Sequence, residues 1–166
     1  MYRFDLAAVD SLLVRRISYP MSDHDDAQTH LLELALESSL ESVDQVEQSV
    51  LREARHVGFD EDDLHNIGIA VREGMVNAVV HGNRYNARKK VHVQISRTPE
   101  RIAVSIGDEG EGFDPAAVPD PLASENLLRF SGRGVMLMRA FMDEFDVCLR
   151  QPKGTEVRMV KYKPKL

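Results

Sequence analysis

Cysteine is nearly absent from this sequence. Cys148 stands alone among 166 residues, so no internal disulfide can form, and one thiol with six scattered histidines offers no zinc-type spacing. Both points fit a reducing cytosol. No stretch approaches the roughly 18 uninterrupted apolar residues of a membrane-spanning helix. Acidic Asp5 and Asp10 occupy the place where a secretory leader has a basic start and a clean apolar run, so a cytoplasmic location is expected. Basic charge is also in short supply: 21 Lys and Arg face 27 Asp and Glu, a formal net charge of -6. That balance argues against nucleic-acid backbones or anionic membranes as primary partners and makes a basic protein surface a more natural one. Missing too are a Walker-type phosphate loop, a nucleophile elbow, internal repeats and low-complexity tracts. Asp60 and Asp63 do not open a calcium loop, because Leu64 and His65 stand where an oxygen ligand and a glycine are needed. His24 and His30 have no partner ligands in the pattern.

What remains is enough apolar material, 43% of residues, for one core in one domain. Residues 1–27 carry no decided pattern. Phe4, Leu6, Val9, Leu12 and Leu13 suit a helix, Leu13–Tyr19 suits a strand, and Pro20 ends either. Leu32, Leu34 and Leu36 then alternate with polar or small residues, the period of a strand with one buried face. Serines 38, 39 and 42 can cap a helix whose apolar stripe is Leu40, Val43, Val46, Val50, Ala54 and Val57, ending at Gly58. Asp60 opens a second helix with acids in its first turn and a stripe of Leu64, Ile67, Val71, Met75 and Val79, running to about His81. Val91/Val93/Ile95 and Ile102/Val104/Ile106 read as a hairpin around Thr98–Glu100. Phe145/Val147/Leu149 and Thr155/Val157/Met159 read as another around Gln151–Gly154. Between the hairpins, residues 112–131 hold three prolines and little periodicity, a length usual for a functional loop and here a candidate lid. Gly134–Met142 returns to helical spacing, and the lysine-rich end is expected to be a solvated tail.

Three segments could carry chemistry. On a helix, Glu73, Asn77 and His81 recur every four residues and fall in one shallow stripe beside an apolar face. A carboxylate and an amide one turn apart suit a proton acceptor and a hard cation such as Mg²⁺; the same stripe is also what an ordinary exposed polar face looks like. Asp108–Gly112 follows a buried strand directly. Its alternating glycines let a ligand approach the backbone, and an ionised Asp108 can accept a hydrogen bond from an exocyclic amine such as that of adenine, or the segment is simply a tight turn with surface acids. The third glycine of a dinucleotide fingerprint is absent. Ser131–Gly134 opens the next helix, where free N–H groups and the positive dipole end favour phosphate, with Arg133 or Arg129 able to add charge; a flexible helix start is the plainer alternative.

Taken together, in this order and spacing, the three segments resemble the N box and two glycine boxes of the histidine-kinase-like (GHKL) ATPases, over roughly Gln28 to Tyr162. Within that superfamily, Glu73–Asn83 and Ser131–Glu144 look most like the small anti-sigma factors that are also serine/threonine protein kinases. The resemblance implies an α+β fold. It would be a two-layer α/β sandwich with helices on one face of a mixed, mostly antiparallel sheet, built as an extension (1–27), an ATP-binding domain (28–162) and a tail (163–166). It implies ATP and Mg²⁺ as cofactors, with Glu73 as catalytic base, Asn77 on the metal and Asp108 on adenine. Gly110 and Gly112 would form the lid hinge, Gly132 and Gly134 would meet phosphates, and Thr155 would support the adenine contact. His81 and Asn83 would sit at the edge of the site, and Arg129 and Arg133 compete for the γ-phosphate. The implied partners are a sigma factor and an anti-sigma antagonist that the chain phosphorylates, and a homodimer stays open. The alternatives are a nucleotide-gated switch without catalysis and a stand-alone catalytic domain of a histidine sensor kinase. Against the latter, the sequence shows no long dimerisation hairpin with a phosphoacceptor histidine ahead of the domain. Topoisomerase- and chaperone-type ATPases need transducer domains for which 166 residues leave no room.

Overall fold

The computed structural model describes residues 29–112 and 133–165, so the expectations for the first 27 residues and for the candidate lid fall outside the described residues. The described chain folds as β1 (His30–Glu37), α1 (Leu40–Val57), α2 (Glu61–Val76) and a wider helical turn over Asn77–Gly82. There follow β2 (Lys90–Arg97), β3 (Arg101–Gly107), α3 (Arg133–Phe141), β4 (Glu144–Leu149) and β5 (Thr155–Tyr162). The strands form one sheet in the order β1-β2-β3-β5-β4, and each of its four pairings is antiparallel. The parallel pairing that a mixed sheet would contain is not found among the described residues.

Strand alternation sets the layers. Val91, Val93, Ile95, Ile102, Val104, Ile106, Val157 and Met159 are buried on the face the helices cover, while Gln94 and Arg158, register neighbours of Ser105 on the other face, reach solvent. Each helix then starts and stops where its flanking chemistry dictates. Ser39 caps α1 by accepting from the Ser42 N–H at 3.3 Å, and Gly58 ends it at φ +90°, a conformation that disfavours any side chain, donating its N–H to Ala54 and Arg55 carbonyls. Asp60 caps α2 by accepting from the Asp63 N–H at 2.8 Å, and three acids follow in the first turn, where the helix dipole favours them. The stripe Leu64, Ile67, Val71, Met75 and Val79 is buried throughout. At Gly74, a Cβ would lie 3.0 Å from Ile106 Cδ1 and close to Met159 and Met138, so α2 rests directly on the sheet and against α3.

The second helix does reach His81, but not as one α-helix. From Asn77 the turn widens, and the Asn83 N–H reaches back five residues to the Ala78 carbonyl at 2.8 Å. Projection at 100° per residue therefore fails past Asn77. Glu73 and Asn77 stay half-buried, whereas His81 points to solvent. The C-terminal expectation also needs correcting. Lys161 and Tyr162 complete β5, and Lys163 is tied down, its N–H to Glu100 O at 2.7 Å and its Nζ to Val57 O at 3.1 Å. A solvated tail misses these because their partners lie far away in sequence.

One charge is buried in the helix layer. Glu53 of α1, 5% exposed, lies 2.7 Å from Arg97 Nε, 3.4 Å from His30 Nδ1 and 3.6 Å from Arg52 Nε. His30 and Arg97 are register partners, so this carboxylate pins α1 to one end of the β1–β2 pair. Burial opposes its ionisation, but the Arg97 hydrogen bond and the charges of His30, Arg97 and Arg52 outweigh it and hold its pKa below the ordinary value. Glu53→Gln is expected to lower unfolding free energy by about 2 kcal/mol, less than the roughly 3–5 kcal/mol for a fully buried pair, because the cations keep contact with water. A depressed folded pKa gives stability that is present above the ordinary carboxylate pKa and lost as pH falls through the folded one. The gap between wild type and variant in urea denaturation should accordingly close in acid.

Candidate functional site

β3 delivers Asp108 to the edge of the helix-covered face, beside the first residue of β5. The two backbones pair, Asp108 N–H to Thr155 O at 2.9 Å, and Asp108 Oδ1 accepts from the N–H groups of Gly110 at 2.8 Å and Thr155 at 3.2 Å. Among the described residues, nothing donates to Oδ2, although Asp108 is only 6% exposed. Burial pushes the Asp108 carboxyl above its usual pKa, while the Gly110 and Thr155 N–H groups and the charges of Arg150 and Lys89 work against that rise.

Three glycines make the burial possible. A Cβ at Gly82, the last residue of the widened turn, would collide with the Asp108 carboxylate. One at Gly110 would collide with the Gly82 carbonyl, and one at Gly154, held at φ +115°, with the Asp108 carbonyl. Gly110 was expected at the site from its sequence; Gly82 and Gly154 were not, and each is followed by a residue, Asn83 or Thr155, that bonds to the same loop. Gly112 turns at φ +73° as the segment leaves the described residues.

Asn83 and Glu109 hold the loop from the other side. Asn83, 1% exposed, accepts from the Glu109 N–H at 2.8 Å and donates to Ser38 Oγ at 2.8 Å and to Lys90 O at 2.9 Å; Ser38 in turn donates to Lys89 O at 2.7 Å. The Glu109 carboxylate accepts from the Lys90 N–H at 3.0 Å and lies 2.7 Å from His92 Nε2. Burial again opposes ionisation, but the hydrogen bonds from His92 and Lys90, with the charges of His92 and Arg150, hold Glu109 below its usual pKa.

The structure therefore gathers Asp108, Gly110, Thr155 and Asn83 around the end of the second helix. Thr155 acts there through its backbone. Glu73 and Asn77 ride half-buried on the same helix, which packs against α3, where Gly134 is buried and Arg133 exposed at the first turn. Gly132 and Arg129 lie outside the described residues. No group of three or more His, Cys, Asp or Glu residues that could hold a metal exists among the described residues. Phosphate oxygens and water commonly supply most of the ligands of Mg²⁺ beside one or two protein oxygens, and the Asn77 side chain could be one of these. Among the described residues the second oxygen of Asp108 is an acceptor without a donor, the kind of group that an N–H of a ligand could satisfy.

Comparison with known proteins places the chain in a family. The family model described as the histidine kinase-like ATPase domain matches residues 36–161, and the chain belongs to that family. Its relatives include serine-protein kinase RsbW of Staphylococcus epidermidis, 30% identical over 79% of this chain and 86% of the relative. The anti-sigma F factor of Clostridium perfringens is 32% identical over 60% of this chain and 73% of the relative. A chain of the SiaB–SiaC complex from Pseudomonas aeruginosa shares the fold at a TM-score of 0.55, with 16% identity, covering 78% of this chain and 88% of that one.

Two substitutions test the cradle. Gly154→Ala forces a side chain against the Asp108 backbone at positive φ and is expected to destabilise by about 2–3 kcal/mol. Asp108→Asn keeps an acceptor for Gly110 and Thr155 and removes a buried charge. A raised folded pKa gives stability that is present below the unfolded pKa and lost as pH rises through the folded one. Thermal melts should therefore show Asp108→Asn gaining on wild type as pH rises from acid to neutral.

Proposed function

We propose that the chain is an ATP-binding anti-sigma regulatory factor with serine/threonine protein kinase activity toward an anti-sigma antagonist. The observation that carries the nucleotide part is buried Asp108, with one carboxylate oxygen holding its own loop and the other without a donor among the described residues, at the end of the helix bearing Glu73 and Asn77. The names of the relatives, a serine-protein kinase and an anti-sigma F factor, support the kinase and anti-sigma parts. No helix among the described residues is long and apolar enough to cross a membrane. This accords with work in the cytoplasm, where a sigma factor would be one partner and the antagonist the other.

In this reading Asp108 accepts from the adenine amine, with Thr155 fixing the carboxylate through its backbone. Gly110 and Gly112 let the segment beyond them hinge. Gly134, with Gly132, presents helix N–H groups to phosphate, and Arg133 or Arg129 adds charge there. Asn77 would hold Mg²⁺ through its neutral oxygen, and the metal would supply neutralisation of phosphate charge. Glu73, one turn before Asn77, would accept the proton of the attacking serine or threonine hydroxyl while that oxygen bonds to the γ-phosphorus of ATP, the bond from the γ-phosphorus to the β-phosphate oxygen breaks and ADP leaves. Catalysis is then mainly positioning, which suits a site built from backbone and one carboxylate on a rigid helix.

The test uses labelled ATP, the full chain and proteins recovered with it in the presence and absence of Mg-ATP. Wild type should transfer label to a serine or threonine of a bound protein. Glu73→Ala should bind ATP within about threefold of wild type and lose transfer by at least about a hundredfold. Unchanged transfer in Glu73→Ala removes Glu73 as base. ATP binding with no transfer by wild type leaves a nucleotide-gated binding switch in place of a kinase.

A further inference from the structure

The amide of Asn83 joins segments that the nucleotide reading assigns to different tasks. Its oxygen takes the N–H of Glu109, the residue after Asp108. Its nitrogen takes Ser38 Oγ at the β1–α1 junction and the Lys90 carbonyl at the start of β2. Asn83 itself directly follows the widened turn of the helix bearing Glu73 and Asn77, and its own N–H closes that turn on Ala78. At 1% exposure, both amide hydrogens and one oxygen lone pair are committed to protein partners. Ser38, equally out of solvent at 6%, passes the link on to the Lys89 carbonyl. An amide so placed does not touch a ligand; it sets where the Asp108 loop sits relative to the helix.

The adjoining segment shows that this placement is held against a cost. Arg84 and Tyr85, immediately after Asn83, both stand at positive φ, +53° and +56°, which costs non-glycine residues about 1 kcal/mol each. The turn is kept by Tyr85 N–H to Val79 O at 2.9 Å and Asn86 N–H to Asn83 O at 3.0 Å. The Asn83 backbone thus anchors the turn while its side chain anchors the Asp108 loop.

We propose that Asn83 is a positioning residue for base recognition. It locks the Asp108 loop to the end of the helix, so that the buried Asp108 oxygen stays at a fixed offset from Glu73 and Asn77 and the site distinguishes an amino from an oxo group on the purine. The proposal rests on the ATP reading above and extends it to selectivity. Without the Asn83 amide, Glu109 loses its N–H acceptor, and the loop is free to shift by the few tenths of an ångström that a hydrogen-bond acceptor can least tolerate.

The test compares ATP with inosine triphosphate, which differs in bearing an oxo group in place of the amine. Binding to the full-length chain is measured by calorimetry alongside thermal melts. Wild type should prefer ATP. Asn83→Ala should weaken ATP about tenfold while inosine triphosphate changes less than about threefold, so the preference collapses; a merely structural role would lower melting temperature and leave the ratio of affinities intact. Ser38→Ala removes one acceptor of the same amide and should reduce the preference about two- to threefold; it decides the matter if Asn83→Ala does not fold. A wild-type preference that survives unchanged in the folded Asn83→Ala, or in Ser38→Ala when that variant decides, overturns the role of Asn83 alone. A wild type that binds neither nucleotide overturns the ATP reading and this one with it.

Discussion

The Asp108 carboxylate lies where three chain segments meet so closely that none can carry a Cβ at the point of contact. Burying a carboxylate is unfavourable unless its oxygens find donors, and the two backbone N–H groups offered by Gly110 and Thr155 serve one oxygen only. The other has no donor among the described residues. Its position depends on the sheet, because β3 and β5 pair through Gly107 and Glu156 up to the point where Asp108 and Thr155 exchange their own backbone bond. It also depends on the second helix, because only a glycine at its last turn lets the helix end so close. The hydrophobic layer beneath, from Leu64 to Val79 against Ile102, Ile106 and Met159, holds these two supports in one rigid frame.

The widening of that helix at Asn77 follows from the same requirement. A regular α-helix through residue 82 would continue the stripe that buries Val71, Met75 and Val79 and carry the chain straight on. The wider turn instead keeps Ala78 and Val79 in the core while it moves His81 outward and brings Gly82 onto Asp108. The change begins at Asn77, the residue suited by its neutral oxygen to a hard cation, directly after the α-helical stretch that carries Glu73. Glu73 and Asn77 therefore stand where regular and widened helix join, a place where the helix gives up backbone regularity to gain a fixed approach to the sheet.

Periodicity carried the elements well, because burial on one face is written locally. The two hairpins, the Ser39 and Asp60 caps and the Gly58 stop each depend on residues within a turn or two of one another. The features that escaped were all made by partners distant in sequence. Gly82 reads as a helix terminus until Asp108 is set against it, Gly154 as a hairpin turn until its neighbour is the Asp108 carbonyl, and Lys163 as a tail until Glu100 and Val57 receive it. The widened turn escaped for a related reason, since an apolar stripe of Met75 and Val79 is compatible with either helix geometry. Asp108 was legible by its place at the end of an alternating strand next to spaced glycines, and Asn83 only as part of a motif; its buried role needed Ser38, Lys90 and Glu109 in view together.

The two adjacent acids of the loop show how the same few atoms can divide structural and chemical work. Glu109 has its carboxylate met by a backbone N–H and by His92, and its own N–H met by Asn83, so its charge is stabilised and its pKa falls. Asp108, one residue earlier and facing the core, has its pKa raised by burial, which outweighs the Gly110 and Thr155 N–H groups and the charges of Arg150 and Lys89. Had the donors been shared evenly, both acids would be ordinary turn residues with nothing to offer a ligand. Fastening the loop through Glu109 and Asn83 holds Asp108 in place although only one of its carboxylate oxygens has a donor among the described residues. On the proposed reading, selectivity would come from that imbalance, because a buried acceptor with no donor among the described residues rewards a ligand that brings an N–H and penalises one that brings a second acceptor.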